Sequence, residues 1–283
     1  MRIISTVREM QNLSNQIRLE GKTIGFVPTM GFLHEGHLSL VRESKSKADV
    51  TVVSIFVNPT QFSPNEDLDK YPRNYERDEK LLKDSEVDIL FYPSSEDIYP
   101  ENYLTYINVE NITSVLEGEF RPTHFKGVAT IVSMLFNIVK PHIAVFGQKD
   151  AQQAAVINKM VSDLKYDIKI IISPIIRETD GLAMSSRNVY LSPAERDDAL
   201  FLFRSLNYCK EMIEKGEKDF LRIKNDLETN IKMPDTALLD YIHLVKLPEF
   251  KVVDKLDWGE DYFILIACKI GKTRLIDNIL IKT

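Results

Sequence analysis

The stretch "TMGFLHEGHLSLV" (29–41) holds two histidines, His34 and His37, spaced three apart around Gly36. An apolar run, "TIGFVP" from Thr23, precedes it, and a helical pattern follows. Three chemistries compete for imidazoles at such a handover: a metal site, a phosphate site, or an ordinary turn that contains histidine. The zinc motif H-E-x-x-H needs histidines four apart on one helical face, and here Gly36 interrupts a spacing of three. Only His124, His142 and His243 remain as further imidazoles, and no cysteine lies near, so a zinc shell has few ligands to draw on. The phosphate reading has a mechanism. Gly31 and Gly36 let the backbone approach a ligand, and a helix start offers N–H groups and a positive dipole end to an anion. Two imidazoles there add donors that can follow charge as it develops on a phosphoryl group. The GKT triplets at Gly21–Thr23 and Gly271–Thr273 are not phosphate loops, because the glycine needed five residues upstream is Gln16 in one and Ile266 in the other.

Three more constellations sit at predicted strand ends or loops. "FGQKDAQQ" (146–153) places Lys149 where a strand gives way to a helix, with Gln152 and Gln153 one turn on. "MSSRN" (184–188) gathers two hydroxyls and a guanidinium after a glycine, and "FVNPTQF" (56–62) puts Gln61 just past a turn forced by Asn58-Pro59. Taken singly, each also reads as surface: a solvated lysine, helix-face glutamines, a common Ser-Arg loop.

The elements that must position these groups form a clear series. Apolar runs at 23–27, 50–58, 88–93, 103–109, 142–147 and 168–175 read as strands. Helical patterns at about 36–48, 75–84, 127–140 and 150–164 separate them. Strands this uniformly apolar predict a parallel sheet buried on both faces, hence a doubly wound α/β (Rossmann-like) domain with ligands at the carboxyl ends of its strands. After "RETDGLAMSSRN" the pattern changes to two helices, about 192–216 and 219–231, followed by three strand-like runs, which predicts a smaller α+β domain. Ser192, Pro193 and Glu195 give the first of these helices a capping box. We divide the chain into 1–178 and 179–283, near the Asp180-Gly181 turn.

The balance of charge narrows the partners. A net charge of −6 argues against a nucleic-acid footprint, which wants a basic face. Apolar runs such as "IVSMLFNIV" (131–139) are far short of a membrane span. The N-terminus takes up charge every few residues and reads as neither signal nor transit peptide. Two cysteines, Cys209 and Cys268, are too few for a disulfide framework, and a reducing, cytoplasmic setting is expected.

The order of the motifs carries more than any one of them. HxGH after the first strand-like run, a lysine at a late strand end and a Ser/Arg loop after the last strand resemble the HxGH nucleotidyltransferase superfamily. Within it, "PTMGFLHEGH", "FVNPTQF", "DLDKYPR", "FKGVATIV", "GQKD-QQ" and "MSSRN-YLS" are similar to the pantothenate synthetase (pantoate–β-alanine ligase) family over about residues 20 to 200. The family has an acidic residue and an aromatic where this chain has Gln148 and Ala151, a difference confined to the packing beside Lys149.

The resemblance implies condensation of (R)-pantoate with β-alanine, ATP being split to AMP and pyrophosphate with Mg²⁺. Adenylation suits the chemistry, since a carboxylate would otherwise have to expel oxide. By the same resemblance His34 and His37 contact the phosphates, with His37 as proton donor in adenylation. Lys149 and Arg187 neutralise the triphosphate, and Ser185 and Ser186 donate to it. Met30, Gly31, Gly36, Gly147, Gln148, Asp150, Ile176 and Met184 complete the ATP site. Gln61 and Gln153 read pantoate, their amides both donating and accepting, and Gln61 also lies near β-alanine. Asp78 is a candidate near Mg²⁺, which is held mostly through phosphate oxygens and water. A homodimer is expected, with no nucleic acid or membrane partner. Two other classes compete: a transferase passing a nucleotide to a phosphorylated acceptor, and a non-catalytic nucleotide sensor. A phosphate acceptor would favour Arg or Lys where Gln61 and Gln153 stand, and intact His37, Lys149 and Arg187 speak against a sensor.

Overall fold

A computed structural model describes residues 1–64 and 66–283. The chain divides into two compact units, Met1–Gln148 with Gln152–Pro174, and Lys149–Ala151 with Ile175–Thr283. Among the described residues, no helix is long and apolar enough to cross a membrane.

In the first unit, strands β1 (Arg2–Ile4), β2 (Ile24–Thr29), β3 (Val50–Ile55), β4 (Ile89–Phe91), β5 (Ile143–Gly147) and β6 (Lys169–Ser173) form one parallel sheet in the order β1-β4-β3-β2-β5-β6. Helices α1 (Val7–Leu19), α2 (Glu35–Lys45), α3 (Tyr75–Asp84), the short α4 (Ser95–Ile98) and α5 (Glu117–Phe120), α6 (His124–Val139) and α7 (Ala151–Asp163) connect the strands. Adjacent strand residues belong to opposite cores. Phe26, Val52, Ile89 and Ala144 pack with α1, α6 and α7, whereas Val27, Val53, Leu90 and Val145 pack with α2 and α3. This is why the strands read as continuous apolar runs. Each fully buried Phe or Ile contributes about 1.5–3 kcal/mol of transfer free energy.

Two elements differ from the expectation. Among the described residues the "YLTYINV" run pairs with no strand: residues 103–109 are irregular, Tyr103 stacks edge-on against Tyr99 and Tyr106, and the Ile107 N–H donates to Thr130 Oγ1 of α6 at 2.9 Å. The place beside β4 goes instead to β1, three residues whose charged surroundings hid them in the sequence.

Strand order reverses between β2 and β5, which pair directly through Gly25–Ile143 and Phe26–Ala144. The segments leaving their carboxyl ends are therefore neighbours, at the place where doubly wound sheets bind their ligands.

The second unit packs α8 (Pro193–Asp198), α9 (Leu200–Glu214) and α10 (Phe220–Asn230) with an antiparallel sheet ordered β10-β9-β7-β8. Its strands are β7 (Ala237–Lys246), β8 (Lys251–Val253), β9 (Asp261–Ile270) and β10 (Thr273–Lys282). The Ser192–Glu195 capping box is present, and the chain breaks at Ala199 into α8 and α9. Gly271-Lys272 is the hairpin turn between β9 and β10, where Ile270 pairs with Thr273.

Candidate active site

The histidine pair begins at the end of β2. Gly31 (φ +85°) and Phe32 (φ +49°) reverse the chain, the first a conformation that glycine takes without penalty. His34 then caps α2. Its Nδ1 accepts the Gly36 N–H at 3.2 Å, and His37 Nδ1 accepts the His34 N–H at 3.3 Å, a reciprocal capping box made from two imidazoles. The rings stand 4.1 Å apart, inclined at 46°. An Nδ1 that accepts a backbone N–H carries no proton, so each neutral ring holds its proton on Nε2. The helix start is expected to offer its N–H groups to an anion. Instead, those of His34 and Gly36 are taken by the imidazoles, and Nε2 becomes the donor of each ring.

Asp78 underlies this turn. Its buried carboxylate accepts the N–H of Phe32 at 2.6 Å and of Leu33 at 2.8 Å, and the Arg77 guanidinium, which sits 5.1 Å over the Phe32 ring, is 3.5 Å away. Burial pushes the Asp78 pKa up, while the two N–H groups and Arg77 oppose the rise. Each oxygen accepts one backbone donor, so Asp78 fits a turn-holding role. Among the described residues no group of three or more His, Cys, Asp or Glu is arranged to hold a metal.

Gln61 ends a 3-10 turn (Pro59–Gln61) and is buried. Its Nε2 donates to Met30 Sδ at 2.9 Å, and its Oε1 accepts Asn58 Nδ2 at 3.2 Å. Asn58 also donates to the Gly127 carbonyl at 3.1 Å. A Cβ at Gly127 would come within 2.5 Å of the Thr60 carbonyl, so the glycine in "FKGVATIV" is what lets α6 support the turn. Asn58 thus joins Met30 and Gln61 in one packed group. The sequence offered it only as a turn residue.

The adjacent glutamines of α7 part company. Gln152 is buried; it donates to the carbonyls of Ile112 and Val115 at 2.7 and 2.8 Å and accepts the Glu117 N–H at 3.0 Å. That pins the segment before α5. Gln153 is half-buried, one helical position on. Gly147 ends β5 and Gln148 begins the 3-10 turn that leads into α7.

In the second unit, Ile176 and Met184 face each other, the Met184 N–H donating to the Ile176 carbonyl at 3.0 Å beside the Arg177–Ala183 bridge. Ser185 caps a 3-10 turn (Ser186–Tyr190), its Oγ accepting the Arg187 N–H at 3.2 Å. Asn188 ties this turn to Glu178 and to the Ala183 carbonyl, each at 3.1 Å. Lys149 shares a small cleft with Ser185 and Asn188, and Asp150 follows it, exposed. The lysine and the "MSSRN" serine, 36 positions apart in sequence, therefore line one cleft. Ser186 is buried and Arg187 half-buried on the same turn.

Comparisons with known proteins bear on the family of the chain. A family model described as pantoate-beta-alanine ligase matches residues 2–280. The chain is 53% identical to the pantothenate synthetase of Caldicellulosiruptor bescii over 282 residues, covering 100% of this chain and 99% of the relative. It is 52% identical to the pantothenate synthetase of Acetivibrio thermocellus, with full coverage of both. Among solved structures, the pantoate-beta-alanine ligase of Thermus thermophilus superposes with a TM-score of 0.91 at 41% identity, over 99% of each chain. That of Francisella tularensis, complexed with beta-gamma ATP and beta-alanine, gives a TM-score of 0.77 at 38% identity, over 99% of this chain and 97% of the other.

Proposed function

Since the chain belongs to the pantoate–β-alanine ligase family, we propose that it joins (R)-pantoate to β-alanine through a pantoyl adenylate. In the first step a pantoate carboxylate oxygen attacks the α-phosphorus of ATP and pyrophosphate leaves. In the second the β-alanine amine attacks the acyl carbon, AMP leaves and an amide forms. The observation that carries this reading is the His34–His37 pair at the β2–α2 handover, both Nδ1 atoms committed to backbone N–H groups.

Such a pair has a defined task. Pentacoordinate phosphorus and departing pyrophosphate gather negative charge, and a donor already oriented toward them costs no reorganisation as the charge forms. In adenylation His37 donates a hydrogen bond from Nε2–H to the charge that develops, with His34 beside it on the phosphates. Lys149 and Arg187 offset triphosphate charge, and Ser185 and Ser186 donate to it. The remaining ATP contacts are Met30, Gly31, Gly36, Gly147, Gln148, Asp150, Ile176 and Met184. Gln61 and Gln153 read the hydroxyl and carboxylate of pantoate, an assignment supported by an amide's ability to donate and accept at once. ATP enters as its Mg²⁺ complex, the ion held by phosphate oxygens and water. We place the enzyme in the cytoplasm as a homodimer; its two buried thiols suit a reducing compartment.

Product analysis tests the reading. ATP, pantoate and β-alanine should give AMP, pyrophosphate and pantothenate in equal amounts. ADP and phosphate would refute an adenylate, and a nucleotide joined to the acceptor would point to a transferase.

A further inference from the structure

The run "TRLIDNILI" contains two consecutive polar residues, Asp277 and Asn278, that the chemistry above leaves unused. Both are buried in β10, at 3% and 1% exposure. Polar groups so enclosed destabilise a fold unless they are partnered. The partners here are specific. Asn278 Nδ2 donates to the backbone carbonyl of Lys149 at 3.0 Å. Asp277 takes the Arg177 guanidinium in a two-pronged pair, at 2.6 and 2.9 Å, and accepts the Asn278 N–H at 2.7 Å. Arg177 also donates to the carbonyls of Gly181 and Asn278, at 3.0 and 3.2 Å, and its guanidinium lies 4.7 Å over the Phe203 ring.

Lys149 and Asp277 line the same small cleft. A lysine on a four-carbon stem explores a wide volume unless its backbone is fixed, and a nearby carboxylate with an open oxygen would draw its ammonium away from phosphate. Asn278 answers the first problem by holding the Lys149 carbonyl. The Arg177 fork answers the second by engaging both Asp277 oxygens. The segment Lys149–Ala151 groups with the second unit although its chain neighbours Gln148 and Gln152 group with the first.

We propose that Asn278 is a positioning residue for Lys149, with the Arg177–Asp277 pair keeping the adjacent carboxylate from competing for the lysine's ammonium. The inference rests on the reading of Lys149 as a group that offsets triphosphate charge.

A double-mutant cycle tests it, using pantoate-dependent exchange of labelled pyrophosphate into ATP by the full-length enzyme. Asn278→Ala should lower the maximal exchange rate by about tenfold or more, toward the ~10²-fold that a 1 Å displacement can cost, with the KM for pantoate within about twofold of wild type. In a Lys149→Ala background the same substitution should cause no further loss, because its effect passes through the lysine. Asn278→Leu keeps the branched outline of the side chain at a larger volume, removes the donor and should behave alike; it carries the cycle if the alanine variant melts early. Losses that multiply in the double variant, or an Asn278→Leu enzyme with wild-type exchange, would overturn the proposal. Wild-type enzyme without pantoate-dependent exchange would instead overturn the ligase reading itself, a separate result.

Discussion

The carboxylate of Asp78 accepts the N–H of Leu33 at 2.8 Å, immediately before His34 in the chain. One acid, with its second oxygen on Phe32, therefore holds the turn that delivers the histidine pair. Asp78→Ala leaves the Leu33 N–H buried with no acceptor, a loss of about 1–3 kcal/mol for each such group. Both the urea midpoint and kcat should fall. Asp78→Asn keeps one acceptor and should retain more of each. Because burial raises the Asp78 pKa, the folded state holds this proton more tightly than the unfolded one. Wild-type stability measured against Asp78→Asn should then decline as pH rises from the ordinary carboxylate value through the raised one. Asparagine and alanine variants of equal stability and rate would remove Asp78 from the turn.

The imidazole capping box separates structure from chemistry at His34 and His37. An asparagine side chain can reproduce the Nδ1 acceptor but not the Nε2 donor. His34→Asn and His37→Asn should melt close to wild type, whereas His34→Ala should lose about 0.5–2 kcal/mol, the range for a lost N-cap. All of these variants should lose kcat, His37→Asn by about 10²-fold or more. An active His37→Asn enzyme would return that ring to a purely structural role.

Neighbouring glutamines make a sharper comparison. Gln152→Ala strips partners from two carbonyls and one N–H and should show mainly as lost stability, about 2–4 kcal/mol. Gln153→Ala should leave the melting temperature nearly unchanged and raise the KM for pantoate, with ATP binding little altered. Equal losses of ATP and pantoate affinity at Gln153 would contradict its assignment to the acid.

How much of this was legible in the sequence follows from what each residue packs against. The doubly wound sheet was readable because strands covered on both faces are apolar throughout, as Phe26-Val27 and Val52-Val53 are. The 103–109 run misled because tyrosine and isoleucine suit a strand and a packed loop equally well, and only the pairing partner decides. Asp78 carried a usable signal: it shares the buried stripe of α3 with Leu82, four residues on, where a carboxylate must have a buried partner. Asp277 and Asn278 carried one as well, since two polar residues in a row interrupt the apolar run between Leu275-Ile276 and Ile279-Leu280-Ile281. Gln152 gave none. A glutamine in a helix looks the same in sequence whether it meets water or three backbone groups.

The central claim is that adenylation completes before the amine arrives, and that His37 serves that step. Enzyme, Mg²⁺, ATP and pantoate, without β-alanine, should exchange labelled pyrophosphate into ATP, and leaving out pantoate should abolish the exchange, water being a poor substitute for a positioned carboxylate. His37→Ala should lose exchange and overall turnover together, while its conversion of preformed pantoyl adenylate and β-alanine to product should suffer less. Exchange that required β-alanine would mean a concerted reaction of three substrates, and the role given to His37 would fall with the intermediate.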